Sequence, residues 1–198
     1  MRPGEVGGVV LAGGAARRMS GVDKAALAVA GVGMLDRVLR AARPLCERLV
    51  VVGPLRRTVV DGVQFVQERR PGGGPVPAVL AGFGAVGAPD VCLVLATDLP
   101  LVTTPALASL LAFLDREPAE AVAAIDSRGS PNPLLAAYRR GWLCQAAARG
   151  LTAGTPARAL LPSHVTGVDL GDHVTLNVNH PGDRERAELL ATTAGESR

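Results

Sequence analysis

VGGVVLAGGAARRMSGVDK, residues 6–24, decides how the rest of the chain is read. Its first six residues are apolar or glycine, the length of a buried strand, and Gly13 and Gly14 follow almost at once. In an open α/β sheet that position is the mouth of the crevice beyond the carboxyl ends of the strands, where ligands bind. Glycines there permit a sharp turn and close backbone approach, and successive amide N–H groups can form an anion-binding nest. Lys24 closes the stretch and is the one lysine among 21 Lys and Arg residues. Every other basic position is arginine, so a compact ammonium stands at a single place, and phosphate is the partner this suggests. The spacing fits neither the P-loop pattern GxxxxGK[ST] nor the dinucleotide pattern GxGxxG. By spacing alone, an ordinary glycine-rich strand-to-helix turn would look the same.

Outward from this stretch, apolar runs of strand length alternate with helical patterns. Strands are expected over residues 6–11, 49–52, 63–67 and 91–97, with helices over 34–42, 77–86 and 104–114. Such alternation implies parallel strands joined by crossover helices, that is, an α/β fold with a Rossmann-like three-layer sandwich around a mostly parallel sheet. Residues 91–97 are almost wholly apolar, as in a central strand covered on both faces. Thr104 is the expected N-cap of the next helix, with Pro105 at its first position. The second half predicts strands over 121–125 and 134–138 around the polar turn SRGSPN. It also predicts helices over 142–148 and 155–161, strands over 165–170 and 175–178, and a closing helix over 184–190. Residues 1–192 are expected to form one domain, with 193–198 as a frayed tail.

Hydrophobic residues make up 48% and charged residues 20% of the 198, a balance that excludes wholesale disorder. Only 3% are aromatic and the net charge is +3, so nothing is interleaved with the scattered arginines to stack bases, and nucleic acid is not an expected partner. Cys46, Cys92 and Cys144 show no paired spacing and read as small core residues. No apolar run reaches membrane-spanning length and no signal-like segment opens the sequence, so a cytoplasmic location away from membranes is expected.

Asp98 ends the apolar run 91–97 abruptly. A carboxylate there is costly unless it faces a crevice with a partner, and Mg²⁺ bridging phosphate oxygens is the usual one when a phosphate loop opens nearby. A plain Asx-type turn over Thr97, Asp98 and Pro100 is the rival reading. Asn177 and Asn179, in LNVNHPGD, can each donate and accept, and alternation on a strand would put both on one face. His164, His173 and His180 read as surface or local hydrogen-bonding residues.

Four motifs in order resemble the MobA-like nucleotidyltransferases, molybdenum cofactor guanylyltransferases in particular. LAGGAARRMSGVDKAAL (11–27) is similar to the family's LAGGxSxRMGxDKxLL, and QERRPGGGPVPAVLAG (67–82) to its acidic residue followed by GPLAG. ATDLPLV (96–102) is similar to CDxPxL, and LNVNHPGD (176–183) to NVNTPED. Ser20 stands in place of a glycine, Pro77 and Ala78 of Ala and Gly, and His180 of Thr.

The resemblance implies that Leu11, Ala12, Gly13 and Gly14 form the nucleotide loop and that Lys24 and Arg18 act on the phosphates. It further implies that Glu68 contacts the GTP and that Asp98 binds Mg²⁺, with Mn²⁺ as a substitute. Asn177 and Asn179 are implied to hold the second substrate or to complete the metal site. The implied reaction transfers GMP from GTP to the terminal phosphate of molybdopterin, with Lys24, Arg18 and Asp98 as the catalytic set. Proteins of molybdenum cofactor assembly would be its transient partners. A nucleotidyltransferase using CTP or another phosphorylated acceptor is the alternative, as is a nucleotide-binding partner without catalysis.

Overall fold

A computed structural model describes residues 6–13, 27–87 and 89–195. Gly14, Arg18 and Lys24 lie outside the described residues, so the expectations placed on them rest on sequence alone.

The first apolar run is strand β1 (Val6–Leu11). A two-strand hairpin follows, β2 (Ala28–Val29) and β3 (Val32–Gly33), turning through Ala30 at φ 48° and Gly31 at φ 74°. Two successive positive φ values give the turn whose twist suits a tight hairpin. The uniformly apolar run around it, ALAVAGVGML, carries no period-two signal, so this hairpin is not visible in the sequence. Helix α1 (Met34–Ala42) has the predicted bounds, and β4 (Arg48–Val52) and β5 (Val63–Val66) follow. Then come α2 (Pro75–Ala85), β6 (Val91–Ala96) and α3 (Thr104–Arg116). The second half contains β7 (Ala121–Ile125), β8 (Pro131–Arg139), α4 (Arg140–Ala148), β9 (Thr166–Val168) and α5 (Pro181–Gly195).

Among the described residues the main sheet has seven strands in the order β5-β4-β1-β6-β8-β7-β9. β1 runs parallel to β4 and β6, β4 to β5, and β7 to β9, while β8 alone is reversed against β6 and β7. β8 takes up Pro131 and Asn132 of the polar turn, starting at Pro131 rather than at the expected Leu134.

Alternate residues of each strand supply the two faces. Val10, Leu93 and Leu95 pack with Leu39 of α1 and Leu107 and Leu110 of α3, whereas Val9, Cys92 and Val94 pack with Val79 and Phe83 of α2 and Leu143 of α4. Helices on both faces of a mostly parallel sheet make the expected three-layer α/β sandwich. A third, smaller cluster joins Val29, Met34, Leu101, Val178 and Ala187, tying the hairpin and α5 to the loop after β6.

Three local expectations are corrected. The N-cap of α3 is Thr103, not Thr104. Thr103 keeps extended backbone and its hydroxyl accepts from the Ala106 N–H, while Thr104 is the first helical residue and donates its hydroxyl proton to the Ala41 carbonyl at 2.9 Å. The closing helix starts before Arg184 and runs past Leu190, to Gly195. Residues 175–178 form no strand: they leave a turn at 172–175 and continue without a ladder. The alternation of Leu176 and Val178 suits a strand, yet β6, the strand whose end they reach, already has β1 and β8 on its edges. Their apolar side chains go to the third cluster instead. No helix among the described residues is long and apolar enough to cross a membrane.

Candidate functional site

The carboxyl ends of β5, β4, β1 and β6 share one edge of the sheet. Leu11 stands opposite both Val52 and Ala96, and Val52 opposite Val66, so the residues that follow these strands emerge side by side. The ladder continues one peptide further. The Ala12 N–H donates to the Val52 carbonyl at 2.9 Å and the Gly53 N–H to that of Val66 at 2.9 Å. The Leu11 carbonyl accepts from the Thr97 N–H at 3.2 Å and from the Thr97 hydroxyl at 3.0 Å. Thr97 is buried, and its hydroxyl locks the start of the glycine loop to the residue before Asp98. Sequence reading assigned it no such part.

Gly53 is a second residue that sequence reading missed. A Cβ there would lie 2.8 Å from the Ala12 carbonyl carbon and 2.9 Å from the Gly13 nitrogen. Backbone cannot yield as a flexible side chain can, so only glycine lets the β4 end pass beneath the Ala12–Gly13 peptide. Gly13 itself is exposed on the edge, whereas Leu11 and Ala12 are buried. The Arg56 Nη2 reaches the Ala12 carbonyl at 3.4 Å, and burial lowers the pKa of this guanidinium from its ordinary value.

Glu68 follows β5 on the same edge, two strands from β1, and is half-buried. Its Oε1 is enclosed and has no hydrogen-bond partner among the described residues. That oxygen lies 3.4 Å from where a Cβ on Gly73 would stand, and Pro77 Cγ lies 3.3 Å from the same point. The Gly73 carbonyl in turn accepts from the Gly154 N–H at 2.9 Å, so a loop from the far half of the chain abuts this wall. Pro77 thus sits in the first turn of α2, facing the glycine turn beside Glu68.

Asp98 is half-buried, and its backbone carbonyl accepts from the Val178 N–H at 2.8 Å. Val178 is fully buried in the third cluster, while Asn177 beside it is half-buried and Asn179 exposed. The asparagines are therefore brought to Asp98 without the strand expected of them. Asp183 supports this arrangement: one carboxylate oxygen accepts from the N–H groups of Asn179 at 2.9 Å and His180 at 2.8 Å. That is the reciprocal half of a capping box, a carboxylate in the first helical turn reaching back to the residue before the helix. Asp183 is a third residue whose part was missed, although an acidic residue in the first turn of a helix is a readable signal.

The fold thus gathers Leu11, Ala12, Gly13, Asp98, Asn177 and Asn179 at the ends of β1 and β6, with Glu68 further along the same edge. His164, His173 and His180 are exposed. Among the described residues no three or more His, Cys, Asp or Glu side chains converge in a ready-made metal site. The arrangement is a backbone-rimmed crevice at the strand ends, with Asp98 on the β6 side and the asparagine segment bonded to its peptide.

Comparison with known proteins adds to this geometry. Residues 8–168 match the model of the MobA-like NTP transferase domain. The molybdenum cofactor guanylyltransferase of Cereibacter sphaeroides is 32% identical over 92% of this chain and 95% of its own. The probable molybdenum cofactor guanylyltransferase of Chloroflexus aggregans is 32% identical over 69% of this chain, but the match spans only 66% of that relative's length. Among solved structures, molybdopterin-guanine dinucleotide biosynthesis protein A of Archaeoglobus fulgidus superposes with a TM-score of 0.69 at 23% identity, covering 94% of this chain and 98% of its own. The 2-C-methyl-D-erythritol 4-phosphate cytidylyltransferase of Thermus thermophilus also gives a TM-score of 0.69, at 22% identity over 95% and 99% of the two chains, a likeness of fold. With the sheet order, the crevice and the matched span in agreement, the chain belongs to the MobA-like NTP transferase family of nucleotidyltransferases.

Proposed function

We propose that this chain transfers GMP from GTP to the terminal phosphate of molybdopterin. An oxygen of the pterin phosphate forms a bond to the α-phosphorus of GTP, the bond from that phosphorus to the bridging oxygen breaks, and pyrophosphate leaves with the electron pair. The phosphate nucleophile is already ionised, so positioning and charge neutralisation matter more than acid–base groups.

The observation that carries the choice of base is the enclosed, unpartnered Oε1 of Glu68. A buried acceptor without a donor is costly, and a base that supplies N–H groups relieves it. Guanine offers a ring N–H and an amino group side by side, which one carboxylate can accept together. Cytosine offers an amino group next to a ring acceptor that would face the carboxylate unfavourably.

At the other end of the crevice, Gly13 and the backbone after β1 offer amide groups to the phosphates, and Lys24 and Arg18 add positive charge. Asp98 with the amide oxygens of Asn177 and Asn179 is a hard oxygen donor set of the kind that suits Mg²⁺, which takes one or two carboxylates and completes its shell with substrate phosphates and water. When bound, Mg²⁺ would neutralise charge on the phosphate oxygens. Val178 keeps both asparagines against the Asp98 peptide, and Thr97 holds Asp98 against the loop.

The test is pyrophosphate release by the purified protein with Mg²⁺ and molybdenum-loaded molybdopterin, GTP and CTP being offered in parallel. Release with GTP alone is expected, and a folded Asp98→Ala variant should lose it. Release with CTP alone would move the reading to a cytidylyltransferase, and none with either would move it to another acceptor or a non-catalytic role.

A further inference from the structure

A groove of about 720 Å³ lies apart from the crevice, between α1, the loop that leaves Asp98 and α5. None of the described crevice residues named above lines it. Leu101 and Leu190 are among its apolar lining, and its charged lining among the described residues is Arg37 and Arg40, with His173 also lining it. No carboxylate among the described residues lines it.

The two arginines stand three residues apart on α1, a spacing that makes like charges neighbours and destabilises the helix. Arg37 is half-buried, and its Nε donates to the Val29 carbonyl at 2.9 Å, which pins the guanidinium while leaving both Nη groups without a bond among the described residues. Burial, and after it the charge of Arg40, lower the pKa of Arg37 from its ordinary value. Arg40 is exposed, and its natural helical partner is Asp36, one turn earlier. Asp36 is engaged elsewhere: its Oδ1 accepts from the Thr58 hydroxyl at 2.6 Å and the Val59 N–H at 3.3 Å. Helix α3 also opens on the groove at Thr103 and Thr104, so its positive end adds to the same field.

We propose that this groove is a second binding site, for a small molecule that carries a phosphate group and an apolar body. Phosphate matches a pair of guanidiniums through charge-assisted, bidentate hydrogen bonds, and a helix N-terminus favours it further. The volume exceeds what a bare phosphate fills, and Leu101 and Leu190 give the remainder of the ligand an apolar bed.

The probes are inorganic phosphate, GMP and guanosine, each titrated without metal into isotopically labelled protein. The readout is the Arg37 side-chain Nε–H resonance and the backbone amides of Thr104 and Ala191. GMP should shift them saturably and guanosine should not. Inorganic phosphate should bind more weakly than GMP; binding as tight as that of GMP would overturn the apolar part of the site. Arg40→Gln, at an exposed position, should weaken GMP binding at these resonances by about tenfold, and Arg40→Lys should restore part of it. Equal affinity in Arg40→Gln, equal shifts from guanosine, equal shifts from sodium chloride, or no saturable shift at these resonances would each overturn the site. Resonances of Gly13 and Gly53 report any binding in the crevice separately.

Discussion

The backbone N–H of Val178 donates to the backbone carbonyl of Asp98 at 2.8 Å, joining two segments 80 residues apart in the chain. Asp98 leaves a central strand and Val178 stands between two asparagines, so this one bond brings the asparagine segment to the Asp98 peptide. The buried Val178 side chain anchors it from below, in the cluster shared with Met34 and Leu101. Geometry that sequence reading assigned to a strand is thus produced by a plug and a single hydrogen bond.

Replacing the plug therefore separates structure from chemistry. Val178→Ala should cost about 2 kcal/mol of stability through the lost methyl groups and the cavity they leave. Asn177→Ala, at a half-buried position, should leave the thermal midpoint nearly unchanged and lower kcat/KM instead. Paired calorimetry and kinetics check this, and the idea fails if Asn177→Ala loses stability while keeping full activity.

Lys24 tests what the nucleotide loop asks of a cation. Lys24→Arg keeps the charge but replaces a compact ammonium with a planar fork, which is not a conservative change where fit matters. We expect a loss of at least about tenfold in kcat. Turnover within twofold of the parent protein would show that any positive charge suffices.

Glu68 should govern the base. Glu68→Gln exchanges one acceptor oxygen for a donor NH₂ at the enclosed position. Discrimination of GTP against CTP, measured as the ratio of kcat/KM values, should fall by about tenfold or more. An unchanged ratio with an intact fold would remove Glu68 from base recognition.

Alkali provides a further test. Burial raises the Cys46 thiol from 9.0 to about 12, with Arg43 opposing in part, and burial also raises the Cys92 thiol and the Tyr138 hydroxyl. Folding favours the neutral form of each group. The stability they contribute is complete below their unfolded-state values and is lost as pH rises through the folded ones. The denaturation midpoint should therefore fall as pH climbs from 9 towards 12, and less steeply in Cys46→Ala. In the native protein near neutral pH a thiol reagent should label exposed Cys144 and spare Cys46 and Cys92.

Sequence alone determined the layers. Apolar runs at 6–11 and 91–97, separated by helical periods, have parallel neighbours because burial on two faces leaves a local composition signal, and α1 was legible to the residue. The motifs around Gly13, Glu68, Asp98 and Asn177 were legible as motifs because residue type and order carry them, and the fold brings these residues to one edge of the sheet. The tertiary structure decided what depends on partners distant in the chain. Gly53 matters because β4 passes under the Ala12–Gly13 peptide, and Thr97 because β1 lies beside β6. The apolar alternation at 175–178 could not become a strand because no sheet edge was free at the end of β6. Alternation records which side chains are buried, but a ladder also needs an unpaired neighbour, and only the assembled sheet shows whether one exists.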